Sequence, residues 1–255
     1  MSQDNHTEQK SEPETAESPR TGETASEATE ARREEAMAHL EASVREAVAQ
    51  GEDIRETVRR LTVEALSEGR LDSEEVRRVV ESVLKGAGSG IEKHGSRARQ
   101  ALEEVLRGLE DGLVKAAEAS KLALEEAAGR AQEFTEQDVK LALEQLQNLE
   151  RVYLDTLTEV AKRGSEQFRQ ILDDLARHAR NSGTAIGEYL AEVMEDLPHK
   201  LQEAGEWGLK AVGEGARTAG AQLAAITSGF LAGLAEALDR QAKRLSGEDE
   251  HQKKG

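Results

Sequence analysis

From about Ser96 the apolar and small residues advance by three or four at every step: Leu102, Leu106, Leu109, Leu113, Ala116, Ser120, Leu124, Ala127, Ala131 and Phe134. That period predicts one helix of roughly ten turns. It ends where Phe134, Thr135, Asp138 and Val139 make the staple and cap of a new start. The next stripe runs through Val139, Leu143, Leu146, Leu149, Tyr153, Leu157, Val160, Gly164, Phe168, Ile171, Leu175 and Ala179. Asn181-Ser-Gly183 predicts a bend or break, after which Ile186, Leu190, Val193 and Leu197 resume the phase and Pro198 stops it. A last helix is predicted from about Lys200 to Leu245, carrying Leu201, Trp207 and Val212.

Three short helices are expected ahead of these. The first presents Met37, Leu40, Val44 and Val48 and stops near Gly51. The second opens at Asp53 with Glu56 three residues on, a capping box, and presents Ile54, Val58, Leu61 and Ala65. In the third, Asp72 caps, Glu75 follows, and Leu71 packs on Val76 ahead of Val79, Val80, Val83 and Leu84. The run Gly86-Ala-Gly-Ser-Gly90 then predicts a flexible joint. Residues 1–27 and 246–255, without large apolar residues beyond Met1, are expected to be disordered acidic tails.

The division that follows is a tail (1–27), a three-helix module (28–85), a glycine-rich linker (86–95), a long-helix bundle (96–245) and a second tail (246–255). A helix of 45 residues spans ~70 Å and its apolar stripe needs cover. Short turns at 134–138 and 197–200 imply antiparallel neighbours. The expected fold is all-α: an elongated antiparallel bundle of three long amphipathic helices preceded by three short ones.

Inside the last helix, residues 218–235 hold eighteen positions without a charge. Leu223, Ile226, Phe230 and Leu234 fall at helical spacing, and Gly229 and Gly233 stand four apart beside them. Small residues at that spacing let a second helix or an apolar surface approach the backbone closely. Leu223, Ile226, Gly229, Phe230, Gly233 and Leu234 are therefore the expected contact residues. Three partners remain open: another helix or copy of this chain, an amphiphilic surface, or a bilayer core of ~30 Å that eighteen residues just span.

Composition narrows the classes. Aromatic residues are 2% of the chain, and 178 residues separate Pro19 from Pro198, so no strand pattern competes with helix. A formal charge of −17 excludes a nucleic-acid partner, which needs a basic stripe, and suits a protein that keeps something dispersed. With no cysteine there are neither disulfides nor thiolate sites, which fits a reducing compartment. No basic-then-apolar signal opens the chain, and a cytoplasmic location is expected.

Four stretches resemble an uncharacterised bacterial family of alanine-rich, all-helical proteins. They are Leu71-Asp-Ser-Glu-Glu-Val-Arg-Arg-Val-Val80, Ala116-Ala-Glu-Ala-Ser-Lys-Leu-Ala-Leu-Glu-Glu-Ala127, His178-Ala-Arg-Asn-Ser-Gly-Thr-Ala185 and Ser228-Gly-Phe-Leu-Ala-Gly-Leu-Ala-Glu-Ala-Leu238. The resemblance brings no activity with it. In composition the Ala/Leu/Glu/Gln helices also resemble phasins, which coat polyester granules, and that likeness implies a coat on a hydrophobic inclusion.

Catalytic patterns are thin. Asp174 and His178 share a helix face, as metal ligands can, but no second histidine pairs with them and a solvated ion pair explains them. Gly86, Gly88 and Gly90 lead into Ile91-Glu-Lys-His without the Lys-Ser/Thr of a phosphate loop. The expectation is a non-enzyme with no metal, no cofactor and no identified small-molecule substrate. It is a homo-oligomer, with a hydrophobic granule or membrane surface as its further partner, and the alternative is a membrane-associated protein inserting residues 218–235.

Overall fold

The computed structural model describes residues 21–68, 72–92, 94–129 and 136–205. Their regular structure is helical throughout, with no strand among the described residues. The elements are α1 (Thr21–Gln50), α2 (Ile54–Glu68), α3 (Ser73–Ile91), α4 (Ala98–Gly129), α5 (Glu136–Ala161), α6 (Glu166–Ser182) and α7 (Ala185–Gly205), with a 3-10 turn at Gly95–Arg97.

Two compact units divide the chain, Met1–Glu35 and Ala36–Gly255. The first is described from Thr21, as the opening turns of α1. Its residues from Glu27 to Glu35 are mostly exposed, and Arg33 pairs with Glu30 at 3.6 Å. Helix thus begins inside the stretch expected to be a disordered tail, and at 30 residues α1 is not short. Ala, Glu and Arg are strong helix formers, and an ion pair three residues apart supports a helix that buries little.

In the second unit, directions follow from contacts. Gly86 and Gly90 of α3 meet Val44 and Val48 of α1, so these helices run parallel. Gly108 and Gly112 of α4 meet Val58 and Thr62 of α2, again in parallel. Glu110 and Glu125 of α4 bond Ala185 and Lys200 of α7, a third parallel pair. Gln147 and Glu150 of α5 reach Met194 of α7 and Thr184 just ahead of it, which is antiparallel. Helices α1, α3 and α5 therefore point one way and α2, α4, α6 and α7 the other. Three helical hairpins stack side by side, and α4 packs most extensively on α2 and α7.

Glycine explains how tightly they stack. A Cβ on Gly90 would lie 2.7 Å from that of Val48, and one on Gly112 would lie 2.7 Å from that of Thr62. At Gly86 and Gly108 it would strike the backbone carbonyls of Glu41 and Arg55. The segment 86–90 is not the predicted joint. It completes α3, with Gly86, Ala87 and Gly90 buried, because glycine there serves close approach and not flexibility.

The second predicted long helix is three. The chain turns back after Ala161, and Ser165 opens α6 by accepting the Phe168 N–H at 3.4 Å. Arg180 of α6 then reaches Thr158 of α5 at 2.9 Å, so α6 folds back along α5. The predicted break at Gly183 is present, with φ 85. Pro198 does not end its helix, for α7 runs on to Gly205. The start predicted at Phe134–Thr135 lies outside the described residues.

One core runs through the stack. Val44, Val58, Val80, Val83, Leu102, Leu109, Leu113, Leu157, Leu172, Ile186 and Leu197 are shielded from solvent. Each such side chain stabilises the fold by roughly 1.5–3 kcal/mol. Among the residues whose exposure is described, Leu122 and Leu141 are the exposed large apolar ones.

Candidate functional site

Where α4, α5 and the α6–α7 break meet, polar side chains enter the core. Tyr153 is fully buried on the face its spacing predicts, and its hydroxyl donates to Glu110 Oε1 at 3.0 Å. Glu110 Oε2 accepts the Ala185 N–H at 3.2 Å. Thr184, itself buried, donates to Glu150 Oε1 at 2.7 Å and accepts the Gly187 N–H at 2.9 Å.

Together these bonds cap α7. The carbonyl of Thr184 accepts the Glu188 N–H at 3.0 Å, which makes Thr184 the cap residue. Two orphan N–H groups of the first turn are then satisfied, one by Thr184 and one by a carboxylate from another helix. The partial positive charge of the helix start favours both carboxylates. Glycine at position 187 leaves room for one of them: a Cβ there would come 2.6 Å from Glu150 Cδ.

Burial pushes the Glu110 carboxyl above its ordinary range, and the negative charges of Asp111 and Glu150 add to that. The bonds from Ala185 and Tyr153 pull the other way and do not prevail. Tyr153 is pushed well above the usual phenol value by burial, then by Glu110. Tyr189 on α7 is pushed up to about 12 by burial and by Glu118, Glu192 and Glu125. Thr184 offers no nucleophile, because its hydroxyl is buried and used as donor and acceptor at once. This centre is a clamp on a chain break.

A second feature is an open cleft of about 650 Å³ at the α1–α2 turn, walled by Arg55, Arg59, His94, Arg97, Glu104 and Asp111. Its charges mostly pair across helices or within them. Arg55 makes a forked bond to Asp111 at 2.7 and 3.1 Å, which raises the guanidinium pKa further. Arg59 pairs with Glu56 at 2.6 Å, so Glu56 is engaged by an arginine in the predicted capping box. Asp53 has φ 47, and its carbonyl accepts the Thr57 N–H at 2.9 Å. His94 Nε2 bonds the Val48 carbonyl at the end of α1.

The contact residues expected from sequence, Leu223, Ile226, Gly229, Phe230, Gly233 and Leu234, lie outside the described residues, as does Trp207. Asp174 and His178 are both exposed on α6. Asp174 pairs with Arg177 at 3.1 Å and Arg99 at 3.6 Å, and His178 Nδ1 lies 3.5 Å from Ser182 Oγ. Among the described residues no three His, Asp or Glu side chains gather to hold a metal ion. Sequence reading missed Glu110, Glu150 and Thr184. The local signal for Thr184 was Gly183-Thr184, a stop followed by a cap; the two glutamates carried none, since their partners lie 75 and 34 residues away.

The chain belongs to a family of unknown function (DUF6781), whose model matches residues 26–240. No curated protein and no solved structure matches it.

Proposed function

We propose that this chain is a non-enzymatic, cytoplasmic interaction protein that self-associates and coats a hydrophobic surface, phasin-like, through residues 218–235. The reading rests on one observation: the described helices bury their apolar stripes against one another, and among the residues whose exposure is described the large apolar ones left exposed are Leu122 and Leu141. A coat built from those stripes would have to open the core. The uncharged run is the stretch left to meet a surface, and the family match takes it in.

Charge supports the same division of labour. Residues 206–255 hold seven acidic and seven basic side chains, so the net −17 resides wholly in residues 1–205. A neutral segment lies on the apolar surface while an acidic helical body faces water and repels neighbouring particles. No described helix is long and apolar enough to cross a membrane; residues 218–235 lie outside the described residues.

Cell fractionation with the full chain and a chain ending at Gly205 tests the proposal. The full chain is expected in the soluble or granule fraction as an oligomer, and the shortened one as a helical monomer that leaves granules. Recovery of the full chain in a salt-resistant, detergent-released membrane fraction would replace coating with insertion. Unchanged association after truncation would end both.

A further inference from the structure

Two leucines lie uncovered on α4 and α5, and the helices that cover the rest of that face stop short of them. We propose that, away from any hydrophobic surface, residues 218–235 fold back over Leu122 and Leu141. The chain's own body then sheathes the uncharged run until a hydrophobic surface displaces it.

Leu122 of α4 is 46% exposed and Leu141 of α5 is 53% exposed. The Tyr153–Glu110 bond sets these antiparallel helices side by side. The same twelve residues lead from Glu110 on to Leu122 and from Tyr153 back to Leu141, so the two leucines stand level. Gly108 and Gly112 face α2, and steps of three and four along that stripe reach Leu122. Thr62, the neighbour of Gly112, is six residues from the end of α2, so α2 stops about level with Glu118. On α5, Gln145 Oε1 accepts the Ser73 N–H at 3.1 Å where α3 begins, and Leu141 lies one turn earlier. Both leucines therefore sit on a ledge, on the stripes that α2 and α3 cover farther along.

Chain path and charge point to the occupant. Lys200 of α7 reaches Glu125, three residues past Leu122, at 3.4 Å, and α7 ends at Gly205. The chain thus leaves α7 at the same end of the stack as the ledge. It does so on the other side of α4, for Glu110 faces α7 and Gly112 faces α2, about 200° apart around the helix. Residues 206–217 span at most ~40 Å, several helix widths, enough to carry the run round to the ledge. Leu223, Ile226, Phe230 and Leu234 have the spacing with which a helix lays its apolar face on a groove. The run carries no charge, so covering the leucines with it buries no ion of its own. A second acidic body would be repelled, since the net −17 lies in residues 1–205, whereas the neutral segment is not.

Sheathing deepens the surface-contact role given to residues 218–235 and rests on it, so two measurements keep them apart. The chain has no cysteine, and Leu141→Cys puts one small apolar thiol on the ledge. Its modification by a water-soluble maleimide is timed in the full chain, with and without Ile226→Ser and Phe230→Ser in the run. Modification is expected to be several-fold slower with the native run, at equal helix content and at every protein concentration. Equal rates overturn the proposal. Protection that fades on dilution overturns it too, because a second copy's run is then the cover. The second measurement is binding to polyester particles by the full chain carrying Leu122→Ser and Leu141→Ser, both at exposed positions. It is expected to bind about tenfold more tightly than the native chain, since covering two half-exposed leucines is worth about one whole burial. Equal, measurable affinities overturn the sheath. If neither chain binds the particles, the coating reading fails and the maleimide rates alone decide the sheath.

Discussion

Gly108 of α4 lies directly against the backbone carbonyl of Arg55 in α2, where any side chain would collide with it. Glycine in a helix interior costs roughly 1 kcal/mol relative to alanine. Overpacking a tight contact costs about 1–3 kcal/mol. Gly108→Ala is therefore expected to destabilise despite its better propensity, and Gly86→Ala and Gly90→Ala likewise. Gly88 is the internal control: a Cβ there would sit 3.4 Å from the Phe168 ring, an ordinary contact. Gly88→Ala should be neutral or stabilising by up to ~1 kcal/mol. Urea melts of the four variants check the order, and a stabilised Gly108→Ala would refute close packing there.

Two tyrosines give an optical test. Neither Tyr153 nor Tyr189 ionises near its ordinary pH of 10, one being pushed well above it and the other to about 12. Absorbance of the native protein at pH 10.5 should show almost no phenolate, while the urea-denatured chain shows both. Because these values are raised on folding, their stabilising contribution is full below pH 10 and lost above it. Unfolding on alkaline titration should bring both phenolates in together.

The helix starts at 72 and 165 are unequal caps. Asp72 accepts from Glu74 N–H at 3.0 Å and Glu75 N–H at 2.9 Å, while Ser165 takes one N–H at 3.4 Å. Loss of a cap costs ~0.5–2 kcal/mol. Asp72→Ala should fall at the upper end and Ser165→Ala at the lower, as read by denaturant midpoint. Equal losses would mean that the α6 cap is tighter than its geometry indicates.

For the uncharged run, Gly229→Leu and Gly233→Leu are expected to weaken assembly without lowering the melting point of the helical body. Light scattering and thermal melts on the same samples separate the two effects. Undiminished mass in both variants would remove the glycines from the interface.

Much of the core was legible because helical spacing is a local property: Val76, Val79, Val80, Val83 and Leu84 are all buried as their period requires, and Asp72 caps as predicted. Chain direction was harder to read. The stripe from Val139 to Ala179 keeps its phase across Gly164-Ser165, and phase is blind to a reversal. The sign was there in a glycine followed by a capping serine, outweighed by the unbroken count. At Gly86–Gly90 composition misled, since glycine can signal freedom or intimacy and only the neighbouring helix decides which. Glu110 and Tyr153 illustrate the remaining limit: they stand 43 residues apart, and nothing local announces their bond.

The parallel contacts of α1 with α3 and of α2 with α4 make each hairpin incomplete without the next. The surfaces that matter most span the α2–α3 connection instead of ending at it. A single proteolytic nick between Glu68 and Asp72 would leave two fragments still interlocked by Gly86, Gly90, Gly108 and Gly112. The cut chain should elute at full mass and melt as one body. Fragments prepared apart should find each other on mixing, which makes this connection a natural place to split the protein into a reporter pair.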